Sequence, residues 1–488
     1  MKLNNIRKFL FTKKSSSERG QVIIIVAGGL IGLLAVIGLI TDGGMLYVQS
    51  SNLKRGVDAA AVSAALQYRE GYSDTELHES ALQFIQLNDT TVTDVIVEVC
   101  DTDTTNGISS LHNQELCPPV TNPPTPPKKV VRVTASKFVD FAFLPVVGMN
   151  GTTINTSSMS EAASVDVVLV IDASESMAYE TSGDPLRLDP GDDPAACNAA
   201  DNCQPFRNIK DIAIEFINTL YFPYDRVAII TFDRAAHAHP DLGGGVAPWI
   251  EDANGNGTAR DEVEDIINNL EVYQPPICAS NDPPNPSFGT CLGYNPDGSF
   301  AYIGCPRWEA SGRADPTSCT SSNIGGGLAL AGNSFAQAPI REDALWAVIL
   351  LAGGPANATN AFAGYPYGTC PYGDSPFCRD DDASARHTSG DALYDGDDFA
   401  RDMSDFVTDP DNGQGAIIYA IGLGEKIRND DIRGASGDAD IAEQLLTYAA
   451  TRAGGVTDGG VYYFAPNLAE LRTIFLEIAD NLATRITQ

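Results

Sequence analysis

The sequence is short of positive charge. Its 488 residues include 31 Lys and Arg against 64 Asp and Glu, which gives a formal net charge of −33. A chain this acidic repels the phosphate backbone of nucleic acids, so we expect no nucleic-acid partner. Six of the basic residues fall within residues 1–20, against a single acidic residue there. A basic tail therefore precedes a strongly acidic body.

Several signatures of catalytic and metal chemistry are also missing. No two cysteines have the Cys-x-x-Cys spacing of a zinc site, and the glycine triplets at 243–245 and 325–327 lack the Lys-Ser/Thr of a phosphate-binding loop. His237 and His239 alternate without a third His or Cys at a ligand spacing, which predicts two exposed side chains on a loop. No nucleophile, base and orienting acid can be assigned from their order. We therefore predict that the protein is not an enzyme, with an active site in the long loops as the alternative.

One stretch is both free of charge and almost entirely apolar over a length that crosses a membrane. Residues 21–40 contain no charged side chain, and a helix of that length spans about 30 Å, the thickness of the hydrocarbon core. Because the basic tail precedes it, the positive-inside rule predicts a cytoplasmic N-terminus and an extracytoplasmic location for everything after Asp42. A cleaved signal peptide is the alternative, but no small-residue cleavage site follows the run. We expect an uncleaved single-pass anchor in the cell membrane.

Cysteine is absent before Cys100 and occurs ten times from there on. This distribution agrees with an oxidising compartment for the body of the chain. Free or metal-bound thiols are the alternative. The short spacings predict the local disulfides Cys100–Cys117, Cys197–Cys203 and Cys370–Cys378, whereas the four cysteines from Cys278 to Cys319 cannot be paired from sequence.

Residues 41–163 predict a small stalk of helices and strands. Apolar residues continue at helical spacing after the membrane run, so that helix continues or restarts as an amphipathic helix. Ser73 and Glu76 form a capping-box pattern that predicts the start of a second helix. Alternating valines at 95–99 and 131–133 predict a small pair of strands.

From Val165 onward, strands and helices alternate. This pattern predicts an α/β fold with a doubly wound, mostly parallel, Rossmann-like sheet and helices on both faces. Five apolar residues at 167–171, four of them β-branched, predict a central strand that is buried on both faces. The other predicted strands are 226–232, 345–351, 417–421 and 461–464, and the predicted helices are 208–220, 261–270, 324–335, 398–406, 441–453 and 468–482.

The central strand ends on an oxygen-rich turn. Asp172, Ser174 and Ser176 place one carboxylate and two hydroxyls on alternate residues after the strand. Ligands bind at this edge of a doubly wound sheet, and oxygen ligands suit a hard divalent cation such as Mg2+ or Ca2+. The alternative is a Ser-rich helix cap, since Ser and Asp are favoured at helix N-termini.

Two segments resemble known families. The Asp-x-Ser-x-Ser order after a buried strand resembles the metal-ion-dependent adhesion site (MIDAS) of von Willebrand factor A (vWA) domains. The stretch RGQVIIIVAGGLIGLLAVIGLITDGGMLYVQSSNLKRGVDAAAVSAAL resembles the N-terminal region of TadG-like proteins of Tad (Flp-type) pilus-assembly systems, in which a membrane helix runs into an Asp-Ala-Ala-rich helix, here Asp58-Ala59-Ala60. A vWA domain often follows in that family. The resemblance implies a membrane-anchored protein of pilus assembly or surface adhesion that binds protein partners.

The vWA resemblance implies cation ligands from three loops. Asp172, Ser174 and Ser176 match the first loop, and Ser322 takes the place of the Thr that usually precedes Asn-Ile-Gly in the second. The third loop usually offers an Asp, but this chain has Gly353 there. The resemblance therefore implies a divalent cation, Mg2+, Mn2+ or Ca2+, at a site that lacks one carboxylate.

The missing carboxylate predicts weaker binding, because ligand charge sets the affinity for hard cations. Asp233, at the end of a neighbouring predicted strand, Glu175 or an acidic residue of the long loops are the candidate substitutes. If the site holds no cation, the same face still offers shape and hydrogen bonds to a partner.

A second, weaker calcium candidate lies at Asp252, Asn254 and Asn256. These residues occupy positions 1, 3 and 5 of an EF-hand-like loop, with Gly257 at position 6. Val263 stands at position 12, where a bidentate Glu belongs. A solvated Asn-Gly turn is the favoured alternative.

Three long interruptions, at about 178–206, 273–321 and 353–390, are rich in Pro, Gly, Asn and Asp. On the vWA template, each interruption begins where the chain emerges on the face that holds the cation. Together the three interruptions contain all eight cysteines of residues 164–488. We expect ordered, disulfide-held loops that form a partner-binding surface, with decoration that has no role as the alternative.

The predicted domains are a cytoplasmic tail (1–20), a membrane helix (21–40), a TadE/TadG-like stalk (41–163) and a vWA domain (164–488). The predicted function is protein binding at a partly degenerate MIDAS in Flp-type pilus assembly or surface adhesion. The partners would be pilus or secretion-system components, or a surface ligand. The alternative function is an envelope scaffold that binds its partner without a cation.

Overall fold

The computed structural model describes residues 18–69, 72–92, 94–100, 113–117, 129–178, 192–243, 245–256, 258–275, 277, 291–304, 322–356, 358–360, 386–388, 394, 396–428, 441–455 and 460–485. The chain divides into two compact units, Met1–Pro118 with Lys128–Ala162 and Pro119–Pro127 with Ala163–Gln488. The long part of the second unit thus begins at Ala163, beside the predicted start of the vWA domain.

The first unit packs two helices on a three-stranded antiparallel sheet. The helices are α1 (Glu18–Arg69) and α2 (Asp74–Asn88), and the strands are β1 (Asp94–Val99), β2 (Lys129–Asp140) and β3 (Gly151–Ala162), in the order β1-β2-β3. Short 3-10 turns lie at Gln114–Leu116 and Leu144–Val147. The predicted pairing of the valines is present, with Val97 opposite Val133.

Helix α1 is continuous through the apolar run and the Ala-rich stretch. Its C-terminal half buries Leu53, Val57 and Ala61 in the core of the first unit. Its N-terminal half leaves its large apolar side chains exposed, and by length and composition α1 is the one helix among the described residues able to cross a membrane. Helix α2 begins at the predicted capping box, in which Ser73 and Glu76 bond reciprocally.

The second unit is a six-stranded sheet with helices on both faces. Its order is β11-β10-β9-β4-β5-β6, and every pair is parallel except β5 with β6. The predicted doubly wound, mostly parallel α/β fold is therefore confirmed. The strands are β4 (Val165–Asp172), β5 (Arg226–Phe232), β6 (Ala236–His239), β9 (Leu345–Ala352), β10 (Ile417–Leu423) and β11 (Val461–Ala465), with a separate hairpin of β7 (Cys291–Tyr294) and β8 (Phe300–Gly304). The helices are α3 (Pro194–Ala200), α4 (Phe206–Ile217), α5 (Arg260–Asn268), α6 (Ile324–Phe335), α7 (Gly396–Thr408), α8 (Ile441–Thr451) and α9 (Leu468–Arg485).

Strand β4 lies in the middle of this sheet and is buried along its whole length. Because successive side chains of a strand point to opposite faces, Val167 and Leu169 join the core that contains Phe216 and Phe475. Val168 and Val170 join the core on the other face, with Leu328 and Leu446. The unbroken apolar run is the sequence signature of this position, since each such side chain contributes about 1.5–3 kcal/mol when buried.

The interruptions contain regular structure that the sequence did not predict. Helix α3 lies in the first, and the β7–β8 hairpin in the second. The disulfides Cys100–Cys117 and Cys197–Cys203 are present, with Cα atoms 4.9 and 4.7 Å apart. The predicted Cys370–Cys378 pair lies outside the described residues.

The prediction that His237 and His239 lie on a loop is wrong, whereas the predicted exposure of His237 is confirmed. Both lie on β6, which pairs antiparallel with β5. His239 is half-buried and its Nε2 lies 2.7 Å from Thr231 Oγ1. Burial lowers the pKa of His239 to about 4. The short Ala-His-Ala-His sequence lacks the β-branched residues typical of strands, so pairing with β5 decides its conformation.

Candidate functional site

Asp172 is the last residue of β4, at the carboxyl edge of the sheet. Its side chain is fully buried. Oδ1 accepts a hydrogen bond of 2.9 Å from the backbone N–H of Ser174, and Oδ2 accepts one of 2.9 Å from the backbone N–H of Gly353. The carboxylate is thus held between the turn after β4 and the turn after β9.

The two serines of the motif face each other. Ser174 Oγ lies 2.8 Å from Ser176 Oγ, in the short 3-10 turn region that follows β4. Ser174 is buried and Ser176 half-buried. The turn is tied to its neighbours because Ala173 donates its N–H to the carbonyl of Phe232 at 2.8 Å. Two hydroxyl oxygens therefore lie together one turn from the Asp172 carboxylate.

Asp233 follows β5, the strand next to β4, and is buried as well. Its Oδ1 accepts the N–H of Ala235 at 2.9 Å, and its Oδ2 lies 3.1 Å from Nε2 of His237. This contact with Asp233 raises the pKa of His237. Asp233 is thus a second carboxylate at the same edge, already paired in part with an imidazole.

The second predicted loop reaches this edge through Asn323. Its backbone N–H donates to the carbonyl of Asp233 at 2.7 Å, and its side-chain Oδ1 caps α6 by accepting the N–H of Gly326 at 2.8 Å. The same side chain donates from Nδ2 to Asn360 Oδ1 at 2.8 Å. Ser322, the predicted ligand, is buried next to Asn323. The sequence did not single out Asn360, because it lies in the loop after β9 without a motif.

The third loop has a glycine at position 353, where the resemblance implies an Asp. A Cβ atom on Gly353 would overlap the Met177 methyl group and would lie 3.6 Å from Asp172 Oδ2. Met177 is buried. Its side chain therefore occupies the space that a larger residue at position 353 would need, a pairing that sequence reasoning missed since it depends on a contact between distant parts of the chain.

The electrostatics of the edge oppose an isolated charge at Asp172. Burial is the largest cause that raises the pKa of Asp172, and the nearby charge of Asp233 raises it further, while hydrogen bonds from Ser174 and Gly353 lower it. Among the described residues, no Lys or Arg forms an ion pair with Asp172. A proton or a cation would relieve this arrangement.

Oxygen atoms of the kind that a hard cation takes lie near one another at this edge. They are the carboxylate of Asp172, the hydroxyls of Ser174 and Ser176, and the carboxylate of Asp233. Ser322 is buried beside Asn323, and its role as a ligand stays a prediction. Within the described ranges, no group of three His, Cys, Asp or Glu side chains is arranged for a metal ion.

The second calcium candidate is a turn whose side-chain oxygens accept hydrogen bonds from its own backbone N–H groups. Asp252 Oδ1 accepts the N–H of Gly255 at 2.6 Å, and Asn254 Oδ1 accepts the N–H of Asn256 at 2.9 Å. The amide of Asn256 donates to Asp261 at 3.1 Å. Asn254 and Asn256 are exposed, and Asp252 and Asp261 are half-buried. The arrangement favours the Asn-Gly turn over a calcium loop, and calcium binding there stays a prediction.

The chain was compared with known families and proteins. Residues 20–67 match the Tad family, described as Flp pilus-assembly TadE/G-like. No curated protein matches the sequence significantly.

Three solved structures resemble the fold distantly. The PilB minor pilin of Streptococcus sanguinis is 12% identical, with 80% of this chain and 78% of the pilin covered at a TM-score of 0.36. The vWF domain of the type V pili tip protein Mfa5 of Porphyromonas gingivalis is 15% identical, with 67% and 98% covered at 0.36. Proximal thread matrix protein 1 of the mussel byssus, with a zinc-occupied MIDAS motif, is 13% identical, with 66% and 46% covered at 0.30. The chain thus spans less than half of the mussel protein, and no shared site or function follows from likenesses of this degree.

The family match covers nearly all of α1, both its apolar run and its Ala-rich stretch, whose residues carried the resemblance. Residues 20–67 are therefore similar to Flp pilus-assembly TadE/G proteins, and the second unit is a doubly wound α/β domain.

Proposed function

We propose that this TadG-like protein is a single-pass membrane protein whose vWA-like unit faces away from the cytoplasm and binds protein partners at the Asp172 edge. The partners would be pilus or secretion-system components, or a surface ligand. The family match of residues 20–67 supports a role in pilus assembly or adhesion. A binding role agrees with that family better than catalysis does.

One observation carries the proposal: the ends of β4, β5 and β9 and the start of α6 meet around one buried carboxylate. The hydrogen bonds of Asp172 to Gly353, of Ala173 to Phe232 and of Asn323 to Asp233 connect these four segments in a row. A helix cap alone would need only the turn after β4. The linkage across the sheet edge supports a site assembled from several loops.

In the proposed site, Asp172, Ser174, Ser176 and Ser322 would hold a divalent cation, Mg2+, Mn2+ or Ca2+, with Asp233 as the nearby second charge. The cation would offer an open coordination position to a carboxylate of the partner protein. The chain's own residues orient the ligands, because the N–H groups of Ser174 and Gly353 fix both oxygens of Asp172.

A second function is favoured by the contact of Met177 with the Gly353 position. A methyl group rather than a carboxylate lies beside Asp172 Oδ2 on that side. In this alternative the edge is a metal-independent docking surface of an envelope scaffold.

Calorimetric titration of the full chain in detergent with Mg2+, Mn2+ and Ca2+ separates the two functions. The cation-dependent function predicts a saturable heat that Asp172→Asn abolishes and that Asp297→Asn, a change at an exposed turn residue, leaves intact. The absence of heat with all three ions in the folded wild type would favour the scaffold.

A further inference from the structure

The loop that joins β2 to β3 is fastened to α1 at the end of the apolar run. The carboxylate of Asp42 accepts hydrogen bonds from the backbone N–H groups of Ala142 (2.9 Å), Phe143 (3.0 Å) and Leu144 (2.8 Å). Asp42 is fully buried by this contact. Because it follows the charge-free residues 21–40 directly after Thr41, these bonds fix the loop at the level where the membrane-spanning stretch ends.

The loop also descends beside the apolar run. One turn before Asp42, a Cβ atom on Gly38 would lie 3.0 Å from Phe143 Cβ and 3.6 Å from Leu144 Cδ2. Glycine at position 38 permits this close approach. Since four residues of helix rise about 6 Å, Phe143 lies alongside the charge-free stretch and not beyond it.

The outward side of the loop is apolar. Phe143, Val146 and Met149 are 43%, 67% and 55% exposed, and residues 141–150 contain no charged side chain. Clusters of exposed apolar side chains mark interaction surfaces. The neighbouring part of α1 is apolar and exposed as well, since Leu34, one turn before Gly38 on the same side of the helix, is 38% exposed.

We infer, on the basis of the proposed membrane anchorage of α1, that residues 141–150 form a second membrane contact of the first unit. Phe143, Val146 and Met149 enter the boundary between headgroups and acyl chains of the bilayer that α1 crosses. Apolar groups seated in this way lie about 5–10 Å below the headgroup level. The hydrogen bonds to Asp42 hold the loop at this depth. The membrane contact of the loop fixes how the first unit is rotated about the long axis of α1, relative to the bilayer.

A lipid surface is the occupant that the position of the loop selects. The hydrogen bonds to Asp42 hold the loop at a depth set by α1 itself, beside the charge-free stretch. A second copy of the chain, or the membrane helix of another protein, would instead shield these side chains from lipid.

Tryptophan fluorescence in nanodiscs with brominated lipid tests the contact, using the full chain and subtracting the signal of the wild type. Val146→Trp reports on the loop and Ile31→Trp on the middle of the apolar run. Leu87→Trp is the matched control, because Leu87 is an exposed apolar residue of α2, which packs near Gly56 of α1, on the order of 20 Å beyond the run.

The expected result is that bromine near the headgroups quenches Val146→Trp at least half as strongly as bromine near the bilayer centre quenches Ile31→Trp, while Leu87→Trp is not quenched. Adding Asp42→Ala should at least halve the quenching at position 146 and leave position 31 unchanged, and Asp58→Ala should change neither. Quenching at 31 without quenching at 146 overturns the loop contact and leaves the anchorage standing. Quenching at neither position overturns both.

Discussion

The backbone N–H of Gly353 donates a 2.9 Å hydrogen bond to Oδ2 of Asp172 and so joins the carboxyl ends of two adjacent strands. At the position where the vWA resemblance implies a carboxylate ligand, this chain supplies a neutral donor instead. The Met177 methyl group occupies the space beside it. The third loop thus supports the carboxylate of Asp172 without adding charge.

Restoring the missing carboxylate should strengthen cation binding. Gly353→Asp combined with Met177→Ala makes room for the new side chain and adds a further negative charge beside Asp172. We expect the affinity for Mg2+ to rise roughly tenfold or more, since ligand charge sets the affinity for hard cations. Calorimetric titration measures the change.

The matched control is Gly354→Asp with Met177→Ala. Gly354 has no atom within 4 Å of its Cβ position, so a carboxylate there points into open space. Equal affinities of the two double variants would contradict the assignment of position 353 to the site.

Asp172→Asn should separate two effects on the stability of the fold, that of the buried charge and that of a bound cation. Burial raises the pKa of Asp172, so the folded-state pKa lies above the unfolded value, and its ionised form disfavours folding at pH 7. Without metal, the variant should therefore unfold at a temperature close to that of the wild type. The loss of the buried charge offsets the loss of one hydrogen bond, because the Asn amide has one acceptor oxygen for the two N–H groups of Ser174 and Gly353.

Saturating Mg2+ should raise the unfolding temperature of the wild type and not that of Asp172→Asn. A ligand at a free concentration of about 100 times its Kd stabilises the folded state by about 2.7 kcal/mol. Differential scanning calorimetry in EDTA and in Mg2+ measures both effects. A variant that responds to Mg2+ as the wild type does would exclude Asp172 as a ligand.

The first unit should lose stability in acid through Glu98. Arg132 Nε donates to its carboxylate at 2.6 Å and Asn113 Nδ2 at 2.9 Å. The hydrogen bond from Arg132 is the largest cause that lowers the pKa of Glu98. A lowered folded-state pKa contributes stability above the unfolded value, about 4.3, and this is lost as the pH falls through the folded value.

Glu98→Gln should thus destabilise the first unit at pH 7 by about 0.5–1 kcal/mol, and the difference from the wild type should diminish as the pH falls through the lowered pKa of Glu98. Glu79→Gln, at an exposed position of α2, is the control and should change little. Chemical denaturation across this pH range checks the effect, and a difference independent of pH would contradict it.

The start of α6 should tolerate no side chain at Gly327. A Cβ there would lie 2.7 Å from Val170 Cγ1 in the core, and overpacking of this kind costs about 1–3 kcal/mol. Gly327→Ala should therefore lower the free energy of unfolding, whereas Gly354→Ala should change it by less than about 0.5 kcal/mol. Similar values for the two would contradict the close packing of α6 on β4.

The regular elements of the second unit follow closely from the sequence. The apolar run at 167–171 lies on the central strand, and α6 has the predicted bounds Ile324–Phe335. Both signals are local, because burial on two faces and helical periodicity are written in adjacent residues. The position of Asp172 at the edge followed from the same pattern.

The elements that were missed depend on distant partners. Strand β6 forms by pairing with β5, and the β7–β8 hairpin lies within a stretch rich in Pro, Gly and Asn. The contacts of Met177 with the Gly353 position and of Asn323 with Asn360 join segments far apart in the chain. No periodicity or motif in a single sequence encodes such contacts.

Anomalous diffraction from crystals grown with Mn2+ tests the account most directly. We predict one strong peak at the carboxyl edge of the sheet, within about 2.6 Å of oxygens of both Asp172 and Ser322. A crystal structure that resolves the whole carboxyl edge and shows no peak there would contradict the cation-dependent site. A peak that contacts neither Asp172 nor Ser322 would contradict it as well.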